Sequence, residues 1–179
     1  MTRFLIALAL MALVSPVSAE DYQRQADEAK WDWQPEHATV LHATLNFHGD
    51  YQVEIVKKAN TFGDLTIRFT KDGKEALSLK GTYATTFVSK DSTLFYADFT
   101  PWASGCALVA YDLANKKELW KAPLKGLGPI SHFGYSNNVA LELAGDAVKV
   151  TGHETAGNYI EFVDTKTGKT VGHKVFPRK

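Results

Sequence analysis

The chain of 179 residues contains a single cysteine, Cys106, and no excess of charge, with 20 basic and 20 acidic side chains. One cysteine cannot form a disulfide within the chain or supply a thiolate zinc site, so we expect Cys106 to be a small buried hydrophobe. Balanced charge removes the long-range field on which nucleic-acid binding depends. We therefore predict neither a disulfide framework nor a nucleic-acid partner.

The chain also lacks an apolar run long enough to cross a membrane. Its longest run, Phe4 to Val14, has eleven residues, whereas a spanning helix needs about 20. This run follows Arg3 and precedes Val17-Ser18-Ala19, small residues of the kind that signal peptidase recognises. We predict that residues 1–19 are a signal peptide cleaved near Ala19, and that the protein is exported to the periplasm or beyond without a membrane anchor.

The remaining chain is predicted to be an N-terminal arm, residues 20–37, followed by one β domain, residues 38–179. The arm begins with a polar stretch that favours a short helix or a frayed segment. Beyond it, apolar and polar residues alternate in short runs separated by turns such as Asp72-Gly73. About twelve strands of this kind predict an all-β fold, an antiparallel meander.

An internal repeat divides the meander into units. At an offset of 52 residues the matching pairs are Gly105 with Gly157, Leu108 with Ile160, Asp112 with Asp164 and Lys117 with Lys169. Together with a similar earlier hairpin, the repeat predicts three four-stranded units near 38–80, 84–124 and 137–177. These units could be propeller blades or parts of a β-sandwich. The strands of both architectures alternate with period two, so the β-sandwich remains the alternative.

The first copy of the repeat resembles the blade of pyrroloquinoline-quinone-type β-propellers, which runs Ala-x-Asp, Thr-Gly-Lys and then a docking Trp. It keeps Ala110, Asp112, Lys117 and Trp120, and the second copy keeps Asp164 and Thr167-Gly168-Lys169. The C-terminal half also resembles an uncharacterised family of exported bacterial proteins, in Ser104-Gly105-Cys106, Gly126-Leu127-Gly128-Pro129 and Gly152-His153-Glu154. The resemblance implies blade-like β-structure and no particular activity.

The chain differs from a propeller in the number of its units, and this difference argues against binding of the quinone cofactor. Propellers usually close with four to eight blades, so three units imply an open relative, a sandwich or a ring completed by association into a homo-oligomer. The quinone needs a full ring and often a vicinal disulfide, so we reject quinone binding and expect no cofactor.

Two polar segments are candidates for a working surface. The segment from Gly126 to Asn138 is longer than a hairpin turn, and long loops in compact domains are often functional. A second segment begins at His153-Glu154. The candidate binding residues are His132, Tyr135, Asn137, Asn138, His153, Glu154 and Tyr159. With no P-loop, dinucleotide, zincin or hydrolase motif present, we favour a non-enzymatic module that binds a protein or a small ligand.

Two alternatives come from other classes of protein. A small metal-dependent or hydrolytic enzyme could use His132, His153 and Glu154, because imidazoles and a carboxylate can hold zinc or another divalent ion. His173 continues the spacing of about 20 residues. Glu142 and Glu161 are placed by simple alternation on the solvated faces of their strands, which argues against catalysis by them. A structural subunit whose sheet edges pair with another copy is the last alternative.

Overall fold

The computed structural model describes residues 17–30, 45–48, 50–57, 65–80, 87–99, 106–124, 139–154 and 157–177. In these ranges the chain forms one helix and twelve strands. They are α1 (Ala19–Glu28), β1 (Leu45–His48), β2 (Tyr51–Lys57), β3 (Leu65–Lys71), β4 (Lys74–Lys80), β5 (Phe87–Lys90), β6 (Thr93–Phe99), β7 (Cys106–Asp112), β8 (Lys117–Pro123), β9 (Val139–Ala144), β10 (Ala147–Glu154), β11 (Gly157–Asp164) and β12 (Thr170–Pro177).

The strands form three sheets of four, each an antiparallel meander in chain order. We call β1–β4 the first sheet, β5–β8 the central sheet and β9–β12 the last sheet. This architecture confirms the predicted all-β fold of three four-stranded, blade-like units with a short N-terminal helix. Each sheet carries one register shift between its third and fourth strands, at Phe69/Thr70, Ala110/Tyr111 and Phe162/Val163. The last two shifts are separated by the same 52 residues as the sequence repeat.

The sheets stack face to face, with the central sheet between the other two. Alternate residues of β6 and β7 point to opposite neighbours, as the pleat of a strand requires. Towards the first sheet, Leu94 and Val109 pack against Ile67 and Phe69. Towards the last sheet, the buried contacts join Phe95, Ala97, Leu108 and Ala110 to Val148, Val150 and Val163. These two interfaces form the core. Each fully buried Val, Leu, Ile or Phe side chain in them stabilises the fold by roughly 1.5–3 kcal/mol.

The outer faces of the first and last sheets differ in character. On the outer face of the first sheet the described side chains of β2 and β3 are polar, with Gln52 and Arg68 exposed and an ion pair of 3.4 Å between Arg68 and Glu54. The outer face of the last sheet is apolar and is covered by α1, whose Tyr22 and Ala26 are buried in a cluster that includes Phe162. Terminal units of a stacked repeat need such finishing to avoid exposing apolar surface. Three units can therefore form a stable stack without closing a ring.

The turns of the central and last sheets repeat each other in detail. Asp112 Oδ1 accepts hydrogen bonds from the backbone N–H groups of Ala114 and Asn115, at 2.9 and 3.0 Å. Asp164 Oδ1 accepts from the residues 52 positions later, Lys166 and Thr167, at 3.2 and 2.8 Å. This confirms that the Asp of each copy organises the turn that follows it.

The same turns contain a left-handed residue at equivalent positions. Lys116 has φ of 53° and Gly168, 52 residues later, has φ of 68°. Glycine adopts this conformation without strain, whereas a residue with a Cβ does so at a cost. The Lys116 ammonium also donates a 2.7 Å hydrogen bond to the Glu75 carbonyl of the first sheet. Lys116 stands where the Thr-Gly-Lys of the blade repeat has glycine, and its side chain joins the central sheet to the first.

Trp120 joins the central sheet to the last one. Its indole Nε1–H donates to the Thr165 carbonyl at 3.1 Å, and its ring packs near Phe95 with centroids 5.8 Å apart. A Cβ at Gly168 would lie 2.9 Å from the indole carbons, so only glycine allows the ring to lie this close. Trp120 therefore lies as an apolar plate between the two sheets.

An ion pair also connects these two sheets. Lys90 Nζ, at the end of β5, lies 2.8 Å from Asp146 Oδ1 and 3.0 Å from the Gly145 carbonyl, in the turn between β9 and β10. The hydrogen bond from Lys90, and then its positive charge, lower the pKa of the Asp146 carboxyl below its usual 3.8. The same hydrogen bond raises the pKa of Lys90.

We predict that Asp146→Asn lowers the stability of the fold at neutral pH and that this deficit vanishes in acid. A carboxyl whose pKa is lower in the folded state contributes stability above its unfolded pKa, near 3.9, and loses it as pH falls through the folded value. The free energy of unfolding in urea, measured from pH 7 to pH 2.5 for both proteins, tests this.

Glu118→Gln is the control, because Glu118 is exposed and forms no ion pair within the described residues. A deficit of Asp146→Asn that stays constant down to pH 2.5 would contradict the assignment.

Candidate functional site

The connections between strands divide into two groups at opposite ends of the stack. At one end, the turn end, lie the connections 49–50, 72–73, 91–92, 113–116, 145–146 and 165–169. At the other, the loop end, lie the strand ends that are joined in sequence by the connections 58–64, 81–86, 100–105, 124–138 and 155–156. The bonds from Lys90 to the 145–146 turn and from Lys116 to Glu75 show that the three sheets share this orientation. Four of the five connections at the loop end have six or more residues.

The first candidate segment belongs to the loop end. His132, Tyr135, Asn137 and Asn138 lie outside the described residues. The described neighbours on either side, Leu124 and Val139, are both buried in the core between the central and last sheets. Both ends of the segment are thus anchored at the loop end, where the central sheet passes to the last.

The second candidate segment reaches the same end. His153 and Glu154 are the last two residues of β10 and pair with Asn158 and Gly157 of β11. The described side chains do not include those of His153 and Glu154. Among the side chains that the structure does describe, no group of three or more His, Cys, Asp or Glu could hold a metal ion. The joint metal site of His132, His153 and Glu154 stays a prediction.

Tyr159 lies in the core rather than at the expected working surface. It is fully buried between the central and last sheets. Its ring covers Gly152, its partner on β10, where a Cβ would lie 2.6 Å from the ring. Alternation alone could not reveal this burial, because it does not show which faces of a sheet are covered.

Glu161 corrects a second expectation. Alternation along β11 predicted a solvated side chain, but Glu161 is 0% exposed. The prediction was wrong because β11 is covered on both faces, by the central sheet and by α1, so neither set of its alternate residues is exposed. Glu142, on the edge strand β9, is exposed as expected and pairs with Lys149 at 3.0 Å.

The buried Glu161 belongs to a small polar set on β11 and β12. Thr170 Oγ1 donates a 2.6 Å hydrogen bond to Glu161 Oε1. His173 is directly opposite Glu161 in the strand register and therefore shares its face of the sheet. The His173 Nε2 atom is buried and has no hydrogen-bond partner among the described residues.

This polar set could not have been found from the sequence, where Glu161 sits in an ordinary alternating strand. Chemically it offers a carboxylate and an imidazole, groups that bind protons and cations. It does not include His153, because the register places His153 opposite Asn158 and His173 opposite Glu161, three positions along β11. The predicted spacing of histidines therefore does not bring His153 and His173 together.

Comparison of the chain with protein-family models gives no match, and comparison with curated proteins gives none either. In the described part of the chain, no helix has the length and apolar character needed to cross a membrane.

We predict that Thr170→Val lowers the free energy of unfolding by about 1–3 kcal/mol, since it removes a donor from a buried carboxylate while keeping a β-branched side chain. Urea denaturation at pH 7 measures the change. Thr93→Val is the matched control, because Thr93 also lies on a strand and its hydroxyl forms no hydrogen bond within the described ranges. Equal effects of the two substitutions would show that the Thr170 hydroxyl contributes nothing specific.

Proposed function

We propose that the protein is an exported, non-enzymatic binding or protein-interaction module whose working surface is the loop end. The observation that carries this proposal is the segregation of connections. The turn end has only connections of two to five residues, whereas the loop end carries the fifteen-residue connection 124–138. Rigid stacked sheets that present their long loops at one end are a common arrangement for binding.

The turn end and the outer face of the last sheet carry structural contacts. At the turn end, hydrogen bonds tie neighbouring turns together, such as Leu113 N–H to the Ser92 carbonyl at 3.0 Å and Thr165 N–H to the Asp146 carbonyl at 2.9 Å. The outer face of the last sheet lies under α1, and the described side chains of β2 and β3 on the outer face of the first sheet are polar. These contacts favour the loop end as the surface left for a partner.

We further propose that the three sheets are blades related to the pyrroloquinoline-quinone-type repeat. Support comes from the Asp112 and Asp164 turns and from the docking of Trp120 onto the next sheet. The proposal includes no quinone, since three units and one cysteine do not supply the ring and the disulfide that quinone sites use.

Export is part of the proposal and rests on the composition of residues 1–19. Cleavage after Ala19 would remove Ser18, whose hydroxyl accepts a hydrogen bond from the Asp21 N–H at 3.2 Å and caps α1. Glu20 and Asp21 would remain in the first turn, where negative charge is favourable. The helix of the mature chain would then rely more heavily on its contacts with the last sheet.

Site-specific photo-crosslinking in cells that export the protein tests the working surface. A photoreactive residue at Tyr135 or Asn138 is expected to give adducts, which excess unmodified protein should suppress. The matched controls carry the same residue at Ser92 or Lys166, exposed positions of the turn end. The adducts should disappear in His132→Ala/Asn137→Ala and persist in Lys166→Ala. Adducts of equal yield from the turn end would contradict the proposal.

Native mass spectrometry, on protein purified without chelator, tests the metal-dependent alternative. The binding-module proposal predicts that no divalent ion accompanies the chain. An additional mass equal to a divalent ion, retained in Glu142→Ala and lost in His153→Ala, would overturn it in favour of a metal site.

A further inference from the structure

The order of α1 in the chain differs from its position in the stack. It precedes the first sheet in sequence, yet it packs on the last sheet, beyond the central one. Sheet layers lie roughly 10 Å apart, so about 30 Å separates α1 from the first sheet. The sixteen residues between Glu28 and Leu45 can span up to about 55 Å. The connection is thus long enough for α1 to leave its position without disturbing the sheets.

Tyr22 anchors α1 at one corner of the last sheet. Its ring packs on Phe162, with centroids 5.5 Å apart, and the residue is 4% exposed. The Tyr22 hydroxyl donates to the Ala144 carbonyl at 2.9 Å and accepts from the Asp146 N–H at 3.0 Å. A single side chain therefore provides both an apolar contact and two directional hydrogen bonds.

Gln23 binds the free edge of the last sheet. Its side-chain Oε1 accepts from the His173 N–H at 3.1 Å, and its Nε2 donates to the His173 carbonyl at 3.1 Å. The amide thereby pairs with both backbone groups of one residue on the edge strand β12, as a neighbouring strand would. At His173 the backbone of this edge is therefore not available to pair with another chain.

Two further residues of β12 contact the backbone of α1. A Cβ at Gly172 would lie 2.6 Å from the Tyr22 carbonyl oxygen, so the helix backbone rests directly on this glycine. The Lys174 ammonium donates to the carbonyls of Asp27 and Ala29, at 2.6 and 2.9 Å, at the C-terminal end of α1. Cationic groups stabilise helix C-termini in this position.

We propose that the outer face of the last sheet is a specific helix-binding surface, and that α1 of a second copy of the chain can occupy it in place of the chain's own α1. The surface recognises a tyrosine and a glutamine in adjacent positions, a small residue four positions after the tyrosine, and a free helix C-terminus. A helix of ten residues is unstable alone in water, so it forms on this surface. The inference does not depend on the function proposed for the loop end.

The affinity can be bounded from the tether. A connection of sixteen residues holds α1 at an effective concentration of the order of 1 mM. Since α1 is bound in the folded chain, the dissociation constant of a separate copy is expected at or below about 1 mM. Exchange between copies then becomes appreciable when the free helix exceeds the effective concentration.

A labelled peptide of residues 20–30, the part of α1 and its C-terminal end that remains after cleavage at Ala19, tests the proposal by fluorescence anisotropy. The recipient is the full chain with Tyr22→Ala/Gln23→Ala, in which the chain's own helix is weakened. We expect saturable binding with a dissociation constant no higher than about 1 mM. Binding should be at least tenfold weaker for a peptide with the same two substitutions, for the wild-type recipient, and for a recipient that also carries Gly172→Ala.

Nuclear magnetic resonance of the wild-type chain provides a test that needs no substituted recipient. Unlabelled peptide at several mM should move the signals of Tyr22 and Ala26 of the labelled chain towards those of an unfolded segment, with little change for the central sheet. Displacement by the native peptide but not by the substituted one supports the proposal. Equal effects of the two peptides, or no displacement at concentrations well above 1 mM, would overturn it.

Discussion

Each face of the last sheet carries an apolar cluster, and the whole arrangement depends on covering both clusters. On one side Val148, Val150 and Val163 meet the central sheet, and on the other Phe162 and Ala147 meet α1. In a closed propeller the next blade would cover the second face. Here α1 takes that place, whereas the described side chains of β2 and β3 on the outer face of the first sheet are polar. The stack is therefore finite because its two terminal faces differ in character.

Directional contacts at the turn end then hold the layers in register. Hydrophobic contact is non-directional and would allow the sheets to slide. The Trp120 indole, the Lys90 ammonium and the Tyr22 hydroxyl each bond to backbone groups of a neighbouring layer, at turns of the last sheet. These contacts lie at one end, which leaves the opposite ends of the strands free to carry long connections.

Local rules predicted the strands well and the environment of single residues poorly. The alternation and the Asp72-Gly73 turn predicted two strands joined by a short turn, as β3 and β4 are. The burial of Glu161 and Tyr159 could not be predicted, because period-two alternation does not report how many faces of a sheet are covered. The docking of α1 on β12 was also hidden, since it joins segments about 150 residues apart through contacts such as Gln23 with His173. The candidate binding residues from His132 to Asn138 lie outside the described residues.

The position of α1 has a consequence for the order of folding. During synthesis α1 is made before the strands, whereas its binding surface on β11 and β12 is made after the other two sheets. The helix cannot persist alone, because nucleation costs more than ten residues recover. Its formation must await β12, and contacts between segments about 150 residues apart slow folding. Completion of α1 thus requires that the last sheet has been made and assembled.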